Sequence, residues 1–177
     1  NEDFIYTCYD NEAYMNTGIQ RSSATPLGAW TTTTPVKHYK KERKKDIIGI
    51  MAAHAIPYIA TASIAYPEDM VKKFKKAKDI RGTRFIHVYA PCPTGWKSRP
   101  EDTVKLARLA VQTSYFPLYE IEDGERWMLN LKVKERKPIT DYLKLQGRFR
   151  HLKQDEIDLI QAEVEANYQR ILKKCGL

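Results

Sequence analysis

Apolar positions along the first half of the chain fall into short strand-type runs separated by helix-type stripes. Runs rich in β-branched and aromatic residues predict strands at residues 4–9, 58–64 and 84–90, and the run at 58–64 is typical of a buried strand. Between them, residues 46–55 predict a helix packed on most sides, and residues 67–78 predict a basic surface helix that begins at a proline. This order of strands and helices predicts an α/β fold with an open, mostly parallel sheet and flanking helices.

The pattern in the second half is different. Residues 98–114 predict a helix with one apolar face, formed by Val104, Ala107, Ala110 and Val111. After it, apolar runs at residues 117–121 and 127–133 flank the turn sequence Glu-Asp-Gly-Glu at 122–125. Two such runs around a glycine-containing turn predict a β-hairpin.

A last apolar stripe predicts a terminal helix over residues 157–172 that ends near Gly176. The chain has 177 residues, which is the length of a single domain with one sizeable core. We therefore expect residues 1–133 to form the main part of one domain and residues 134–177 to form a helical extension of it.

Two irregular segments follow predicted strands. Residues 11–35 form a long loop rich in Ser, Thr, Gly and Pro, and the prolines and glycine of residues 91–96 disfavour regular structure. Parallel strands end at the same edge of a sheet, and open α/β sheets bind their ligands there. We therefore expect these two segments to form a ligand-binding edge.

Composition limits the setting of the protein. No apolar run approaches the roughly 20 residues needed to cross a bilayer, and no basic and apolar secretory signal is present. The three cysteines are far apart and contain no CxxC pair, which favours reduced thiols. We therefore expect a cytoplasmic protein with no membrane segment.

Because the chain starts at Asn1 and enters a strand almost at once, we also expect an N-terminal portion to be missing.

A net charge of +8 favours acidic partners, which include nucleic acid, an acidic membrane surface and an acidic protein. Within the charged run at residues 37–45 a solvated surface is the more common interpretation, with a docking site as the alternative. Arg21 is a possible partner for a carboxylate or a phosphate. His54 and His87 lie in apolar segments, where a packing role is more common than a catalytic one.

The segment after the first strand offers groups that suit a cation bound to phosphates. Asn11, Asn16 and Thr17 carry side-chain oxygens, and Gly18 permits a tight turn. Hard cations take oxygen ligands. Asn and Gly also build ordinary turns, so the residue types alone leave both interpretations open.

The sequence of this segment is more specific than its composition. Residues 9–26 read Tyr-Asp-Asn-Glu-Ala-Tyr-Met-Asn-Thr-Gly-Ile-Gln-Arg-Ser-Ser-Ala-Thr-Pro and are followed by Gly-Ala-Trp at 28–30. This stretch resembles the beta subunit of pyruvate and related 2-oxoacid:ferredoxin oxidoreductases, and the resemblance extends to about residue 133. It implies a thiamine-diphosphate-binding fold and identifies the stretch as the second half of the cofactor motif. The first half, an upstream Gly-Asp-Gly, does not occur in this sequence, in agreement with the expected missing portion.

The resemblance implies a role for each residue of the motif. The Asn11 side chain and the Ala13 carbonyl would coordinate Mg²⁺, together with an aspartate outside this chain. Thr17 and Gly18 would approach the diphosphate. Asn16 would face the thiazolium and the substrate and is the candidate catalytic residue. With part of the ligand set elsewhere, the chain alone is expected to bind the cofactor poorly and to be inactive.

Residues 90–96, Ala-Pro-Cys-Pro-Thr-Gly-Trp, are similar to the family segment that gives one thiolate to a 4Fe-4S cluster. Cys92 is therefore the candidate cluster ligand by resemblance. A cluster needs four thiolates, so the other three would lie outside this chain. Without the resemblance, Cys92 would be interpreted as a buried structural thiol, and this is the interpretation that Cys8 and Cys175 keep.

The resemblance implies a multisubunit oxidoreductase with alpha, gamma and delta type subunits. It would decarboxylate pyruvate oxidatively to acetyl-CoA and CO₂, with coenzyme A as acyl acceptor and ferredoxin as electron acceptor. Branched-chain and aryl 2-oxoacids are the alternative substrates within the family. From a different class, a basic α/β module that binds nucleic acid stays possible. It is disfavoured because the aromatic residues fall mostly in strand and core patterns.

Overall fold

A five-stranded sheet forms the centre of the chain in a computed structural model, which describes residues 2–177. The strands are β1 (Phe4–Asp10), β2 (Tyr58–Ser63), β3 (Thr83–Tyr89), β4 (Tyr119–Glu122) and β5 (Arg126–Leu129). They are arranged in the order β1-β3-β2-β4-β5. The first three strands along the chain are parallel, whereas β4 is antiparallel to β2 and β5 is antiparallel to β4. The predicted open, mostly parallel α/β sheet is therefore confirmed.

Helices cover both faces of the sheet. They are α1 (Ile47–Ala53), α2 (Pro67–Asp79), α3 (Pro93–Trp96), α4 (Thr103–Gln112), α5 (Ile139–Leu143) and α6 (Gln154–Lys174). Short 3₁₀ turns occur at Val36–His38, Pro100–Asp102 and Gly147–Phe149.

The core lies on both sides of β2, whose six residues are all buried. One side packs against α2 through Tyr58, Ala60 and Ala62. The other side carries two apolar clusters, to which α1, α4, α5 and α6 contribute. Alternate side chains of a strand point to opposite faces, so a continuous apolar run is what a sheet covered on both faces requires.

Proline supports regular structure where we predicted none. Pro93 begins a single helical turn, α3, because its fixed φ suits the first position of a helix. The turn ends at Lys97, which adopts a left-handed backbone with φ of 54°. The prediction of an irregular segment after β3 was therefore wrong for these four residues.

The predicted helix over residues 98–114 is shorter than expected. A 3₁₀ turn precedes α4. The buried face of α4 is formed by Leu106, Ala107, Leu109, Ala110 and Val111. Val104 is 50% exposed because it lies in the first turn, before the part of the helix that packs on the core. Its predicted place on the buried face was wrong.

The C-terminal third follows the predicted order with different bounds. The hairpin of β4 and β5 is confirmed, but its second strand ends at Leu129 rather than at residue 133. Helix α6 is longer than its apolar stripe, since charged residues at its exposed ends carry no apolar signal. Helix α5 was not predicted, although Ile139, Tyr142 and Leu143 are buried in the same cluster as α4.

Strand β1 forms one edge of the sheet and exposes aromatic side chains. Phe4, Tyr6 and Tyr9 are 45%, 55% and 73% exposed. These aromatics lie in a strand, as expected, but on the exposed edge of the sheet. Among the described residues, no helix is long and apolar enough to cross a membrane.

Candidate functional site

The loops after β1 and β3 meet at the carboxyl edge of the sheet. The two strands are neighbours, and the Ala90 amide donates a hydrogen bond to the Asp10 carbonyl at 3.1 Å. The Trp96 indole donates to the Asn11 carbonyl at 2.8 Å. The fold therefore brings together the two segments that the sequence singled out.

Gly95 allows these loops to approach closely. Its backbone packs against Met15, and a Cβ atom at this position would collide with the Met15 sulfur. Trp96, whose side chain is fully buried, anchors the same turn in the core. The segment that contains Cys92 therefore lies directly against the loop that contains Asn11.

The motif loop, which we define as residues 11–20, has a fixed backbone. Tyr14 and Gln20 exchange two backbone hydrogen bonds of 3.0 and 3.1 Å. Between them the Met15 carbonyl accepts from the Gly18 and Ile19 amides. Gly18 adopts φ of 112°, a conformation that glycine tolerates best. The turn is closed by the chain itself.

The threonine-rich strip at residues 31–34 supports the motif loop from outside. The Thr32 hydroxyl donates to the carbonyls of Gly18 and Ile19 at 2.6 and 2.9 Å. The Thr33 hydroxyl accepts from the Arg21 amide at 2.9 Å. Arg21 itself pairs with Glu42 at 2.6 Å, so its guanidinium meets a carboxylate of this chain.

The outer face of the motif loop presents oxygen atoms that the protein does not use. Among residues 2–177, no hydrogen bond engages the side chains of Asn11 and Asn16 or the Ala13 carbonyl. Asn11 and Ala13 are half-buried, whereas Asn16 is exposed. Thr17 is also exposed, and its hydroxyl donates to the Gln20 side chain at 2.6 Å. Oxygen donors left free on an ordered loop are suited to a hard cation.

The inner side of the motif loop carries a carboxylate that the sequence did not single out. Glu12 is only 1% exposed and adopts a left-handed backbone with φ of 68°. Its carboxylate pairs with Arg148 at 2.5 Å and with Lys44 at 2.7 Å. It also accepts a hydrogen bond of 2.8 Å from the Tyr115 hydroxyl. Two cations and a phenol therefore hold one buried carboxylate.

Asp10 extends this arrangement into the sheet. Its carboxylate contacts Lys44 at 2.5 Å and His87 Nε2 at 2.7 Å, and it accepts the Glu12 amide at 2.9 Å. Burial opposes ionisation, but Lys44 and His87 outweigh it and hold the pKa of Asp10 well below its usual range. Burial also opposes the charge on Lys44, yet the Glu12 and Asp10 carboxylates raise the pKa of Lys44 above its usual value. Both groups are therefore charged at neutral pH.

Arg148 is fixed on all sides. It stacks over the Trp96 ring at 4.0 Å and donates from Nε to the Gln146 side chain at 2.9 Å. Burial disfavours its charge, but Glu12 raises the pKa of Arg148 above its usual value. We refer to Asp10, Glu12, Lys44, His87 and Arg148 as the buried charge network.

The basic run at residues 37–45 is not simply a solvated surface. Lys40 is 2% exposed and donates to the carbonyls of Ser23 and Thr25 inside the long loop. Lys44 belongs to the buried charge network. That interpretation was therefore wrong for these two residues, because an adjacent loop supplies buried acceptors that the sequence pattern does not reveal.

The histidine interpretations had different outcomes. His87 is buried in β3 and hydrogen-bonded to Asp10, so it packs in the sheet as expected. The packing interpretation was wrong for His54, which is exposed at the end of α1, where the helix leaves the core.

No sequence signal identified Glu12 and Arg148 as partners. They are 136 residues apart, and Arg148 lies in the tail that was assigned only a helical extension. The one clue to a buried ion pair was the acidic residue Glu12, because it lies in a segment that has to pack on the sheet.

A cavity of about 460 Å³ lies beside the buried charge network. Lys44, His87 and Tyr115 line it together with apolar residues of α6. Asn11, Ala13 and Asn16 are not among its lining residues, so the cavity is separate from the free oxygens of the motif loop.

The cysteines do not form a metal centre within residues 2–177, where no group of three or more potential His, Cys, Asp or Glu ligands occurs. Cys92 is half-buried and directly precedes α3. Cys8 and Cys175 pack against the cluster that contains Ile59, and burial raises the pKa of both thiols. These residues alone cannot hold a 4Fe-4S cluster, which takes four thiolates.

Comparison with known proteins indicates the same family as the motif sequence. Residues 1–88 match the family model of the thiamine pyrophosphate enzyme C-terminal TPP binding domain. The chain is 53% identical over 176 residues to the ketoisovalerate oxidoreductase subunit VorB of Pyrococcus abyssi, covering 97% of this chain and 56% of that protein. It is 55% identical over 166 residues to the pyruvate synthase subunit PorB of Methanocaldococcus jannaschii, covering 92% of this chain and 55% of that protein.

Among solved structures, a 2-oxoglutarate:ferredoxin oxidoreductase from Magnetococcus marinus is similar over 60% of this chain and 43% of its own. That likeness, with 22% identity and a TM-score of 0.48, is too weak to bear on function. The chain spans somewhat over half the length of the curated relatives it matches. Identity of about 50% over nearly the whole chain, together with the family match, shows that it belongs to the family of PorB and VorB subunits of 2-oxoacid:ferredoxin oxidoreductases.

Proposed function

We propose that the chain is the part of a thiamine-diphosphate-dependent 2-oxoacid:ferredoxin oxidoreductase that binds the diphosphate end of the cofactor. The observation that carries the proposal is the motif loop, whose backbone is closed by its own hydrogen bonds. Within residues 2–177, the side-chain oxygens of Asn11 and Asn16 and the Ala13 carbonyl accept no hydrogen bond. It lies at the carboxyl edge of parallel strands, where α/β sheets bind ligands.

The residues present fit part of the cofactor. The Asn11 side chain and the Ala13 carbonyl offer two oxygen ligands for Mg²⁺, which protein sites usually bind through few of their own groups. The diphosphate, water and an aspartate outside this chain would complete the coordination. Thr17 and Gly18 would lie against the diphosphate, and Asn16 would face the thiazolium and the substrate. When bound, the cofactor supplies the carbanion chemistry, and the protein supplies position and electrostatics.

Cys92 is proposed as one ligand of a 4Fe-4S cluster. The support is its position before α3, on a turn held against the motif loop through Trp96 and Asn11. A cluster at this point would lie near the cofactor, where electrons from the oxidation have to leave. The remaining thiolates would come from outside this chain.

The proposed reaction is the coenzyme-A-dependent oxidative decarboxylation of pyruvate to acetyl-CoA and CO₂. Branched-chain and aryl 2-oxoacids are the alternative substrates. Relatives named as pyruvate synthase and as ketoisovalerate oxidoreductase subunits match at similar identity, so overall similarity does not distinguish these substrates. The deciding groups would be pocket walls to which other parts of the complex contribute.

The proposed partners are the other subunits of the complex, of alpha, gamma and delta type, and ferredoxin as electron acceptor. The net charge of +8 would favour approach of an acidic electron carrier. A cytoplasmic location forms part of the proposal, because ferredoxin and coenzyme A are expected there.

The test is an assay of the purified complex that contains the full-length protein. Pyruvate, 2-oxoisovalerate and phenylglyoxylate are supplied separately with coenzyme A, and reduction of ferredoxin is followed. Pyruvate is expected to give the highest kcat/KM. A higher kcat/KM for 2-oxoisovalerate or phenylglyoxylate would identify that acid as the preferred substrate instead of pyruvate. Absence of coenzyme-A-dependent turnover of all three acids would overturn the proposed oxidoreductase activity.

The nucleic-acid alternative finds little support. Binding of single strands uses aromatic side chains interleaved with Lys and Arg. The aromatics exposed on β1 lie in a strand, Phe4–Asp10, that contains no Lys or Arg. Salt-dependent binding of an oligonucleotide by the complex at micromolar concentration would revive this alternative.

A further inference from the structure

Neighbouring residues of the motif loop alternate in burial. Glu12 is only 1% exposed, whereas Asn11 and Ala13 on either side of it are half-buried. This alternation depends on the left-handed backbone at Glu12, with φ of 68°. A residue with a Cβ adopts this conformation at a cost, so it persists where surrounding contacts fix it.

Contacts from four parts of the chain fix Glu12. Its carboxylate binds Lys44 from the segment before α1, Tyr115 from the segment after α4 and Arg148 from the turn before α6. Its backbone carbonyl accepts a hydrogen bond of 2.8 Å from the Thr25 hydroxyl. The side chain and the main chain are therefore both held at the point where the loop changes direction.

The network pairs two carboxylates with two basic side chains. The carboxylates of Asp10 and Glu12 contact Lys44 and Arg148, and His87 contacts Asp10. Buried ion pairs often contribute little net stability compared with apolar residues of the same size. A buried network of paired charges that holds one backbone conformation is better explained by orientation than by stability.

We propose that Glu12 is a positioning residue for the cofactor: held by Lys44 and Arg148, it orients the Asn11 side chain and the Ala13 carbonyl so that both reach one Mg²⁺ ion. The inference rests on the proposed function, since it concerns the ligands assigned there. It adds a role for Glu12, and it explains why Arg148, far along the chain, lies under the motif loop.

The matched substitutions are Glu12→Gln and Lys73→Met in the full-length protein within its complex. Glutamine keeps the size of the side chain but sets an amide donor against a cation. Lys73 is a buried lysine on the opposite face of the sheet, where it binds Asp69 at 2.6 Å and the Thr61 carbonyl at 2.8 Å. Its replacement disturbs a buried charge without touching the motif loop.

Three properties are measured for each variant. They are the melting temperature, the amide hydrogen exchange of residues 11–20 without cofactor, and the dissociation constant of thiamine diphosphate at saturating Mg²⁺. We expect Glu12→Gln to accelerate exchange in the loop and to weaken cofactor binding by roughly 10- to 100-fold, the range seen when groups that orient metal ligands are replaced. We expect Lys73→Met to lower the melting temperature but to leave loop exchange and the dissociation constant unchanged.

A folded Glu12→Gln protein with unchanged loop exchange and unchanged cofactor affinity would overturn the inference. An equal loss of affinity in Lys73→Met would also overturn it, because the effect would then be general destabilisation. If Glu12→Gln does not fold, Tyr115→Phe decides. It removes only the hydrogen bond to the Glu12 carboxylate and is expected to weaken affinity a few-fold in the same direction, whereas unchanged affinity would contradict the inference.

Failure of the inference can be distinguished from failure of the proposed function. If the unsubstituted complex binds no thiamine diphosphate, the proposed function fails and the positioning role falls with it, while faster exchange in Glu12→Gln would still identify Glu12 as the anchor of the loop. If the unsubstituted complex binds the cofactor and Glu12→Gln binds it equally well, only the inference fails.

Discussion

Replacing Arg148 by methionine should reveal how strongly the buried charge network is coupled. The substitution removes the cation that pairs with Glu12 at 2.5 Å and stacks on Trp96 at 4.0 Å. Breaking a buried ion pair by removing one partner costs about 3–5 kcal/mol, because a charge is left uncompensated. Glu12 keeps Lys44 and Tyr115, so we expect the loss to lie near the lower end, at about 3 kcal/mol.

The double variant Glu12→Gln with Arg148→Met is the informative comparison. Glu12→Gln alone leaves Arg148 buried without a carboxylate and should cost about 3–5 kcal/mol. In the double variant neither charge remains, and Lys44 still pairs with Asp10 at 2.5 Å. We therefore expect the double variant to lose about as much as one single variant, which gives a coupling energy of about 3 kcal/mol.

The assay is urea unfolding of the full-length protein and its three variants. The control pairs Arg148→Met with Lys73→Met, two buried cations that contact different partners on opposite faces of the sheet, and should be additive to within about 0.5 kcal/mol. Additivity of Glu12→Gln with Arg148→Met to the same tolerance would show that the two side chains stabilise the fold independently, contrary to the predicted coupling.

Three further predictions concern other parts of the site. The pKa of Asp10 is lowered from its usual value of 3.8 in the folded protein, so the ionised carboxylate stabilises the fold above pH 3.8. This stabilisation is lost as the pH falls towards the lower pKa of the folded state. Asp10→Asn should therefore reduce the acid-dependent loss of stability, and an unchanged loss would contradict this prediction. Cys92→Ser should lower the iron content of the complex and leave thiamine diphosphate bound, whereas Cys175→Ser should change neither; equal iron content in both variants would count against Cys92. Gly95→Ala should leave the protein folded with nearly normal cofactor affinity, because its Cβ would collide only with the flexible end of the Met15 side chain, which can move aside; a large loss of affinity would show that Met15 is held rigidly against this turn.

Much of the fold could be predicted because its signals are local. The strand runs at residues 58–64 and 84–90 are short, β-branched and apolar, and each lies within a residue or two of the observed β2 and β3. The hairpin followed from the turn at Asp123-Gly124, where both residues adopt positive φ. The order of strands and helices then left few possible topologies.

The parts that could not be predicted depend on contacts between distant residues. Lys40 and Lys44 lie in a basic run, a pattern that is typical of an exposed surface. Only the folded long loop brings their acceptors, such as the Ser23 carbonyl and the Glu12 carboxylate, into contact with them. Arg148 has no apolar period or motif around it, yet it is 3% exposed and pairs with Glu12. A sequence pattern indicates which face of a helix or strand is apolar, but it does not indicate which buried charged side chains form ion pairs with each other.

The motif loop shows the same division. Its sequence identified the segment and its position after β1, and the resemblance assigned Asn11, Ala13, Asn16, Thr17 and Gly18. Those assignments stay predictions. The folded chain adds the inner side of the loop, where Lys44 and Arg148 hold Glu12, while within residues 2–177 the Asn11 and Asn16 side chains stay free of hydrogen bonds.

Binding of thiamine diphosphate through Mg²⁺ at the motif loop can be tested by measuring cofactor affinity in the complex that contains the full-length protein, with and without Asn11→Ala. We predict Mg²⁺-dependent binding of one thiamine diphosphate per copy of this protein, weakened about tenfold or more when Asn11 is replaced. Absence of bound cofactor in the unsubstituted complex, or equal affinity in the Asn11→Ala variant, would show that the motif loop does not hold the cofactor in this way.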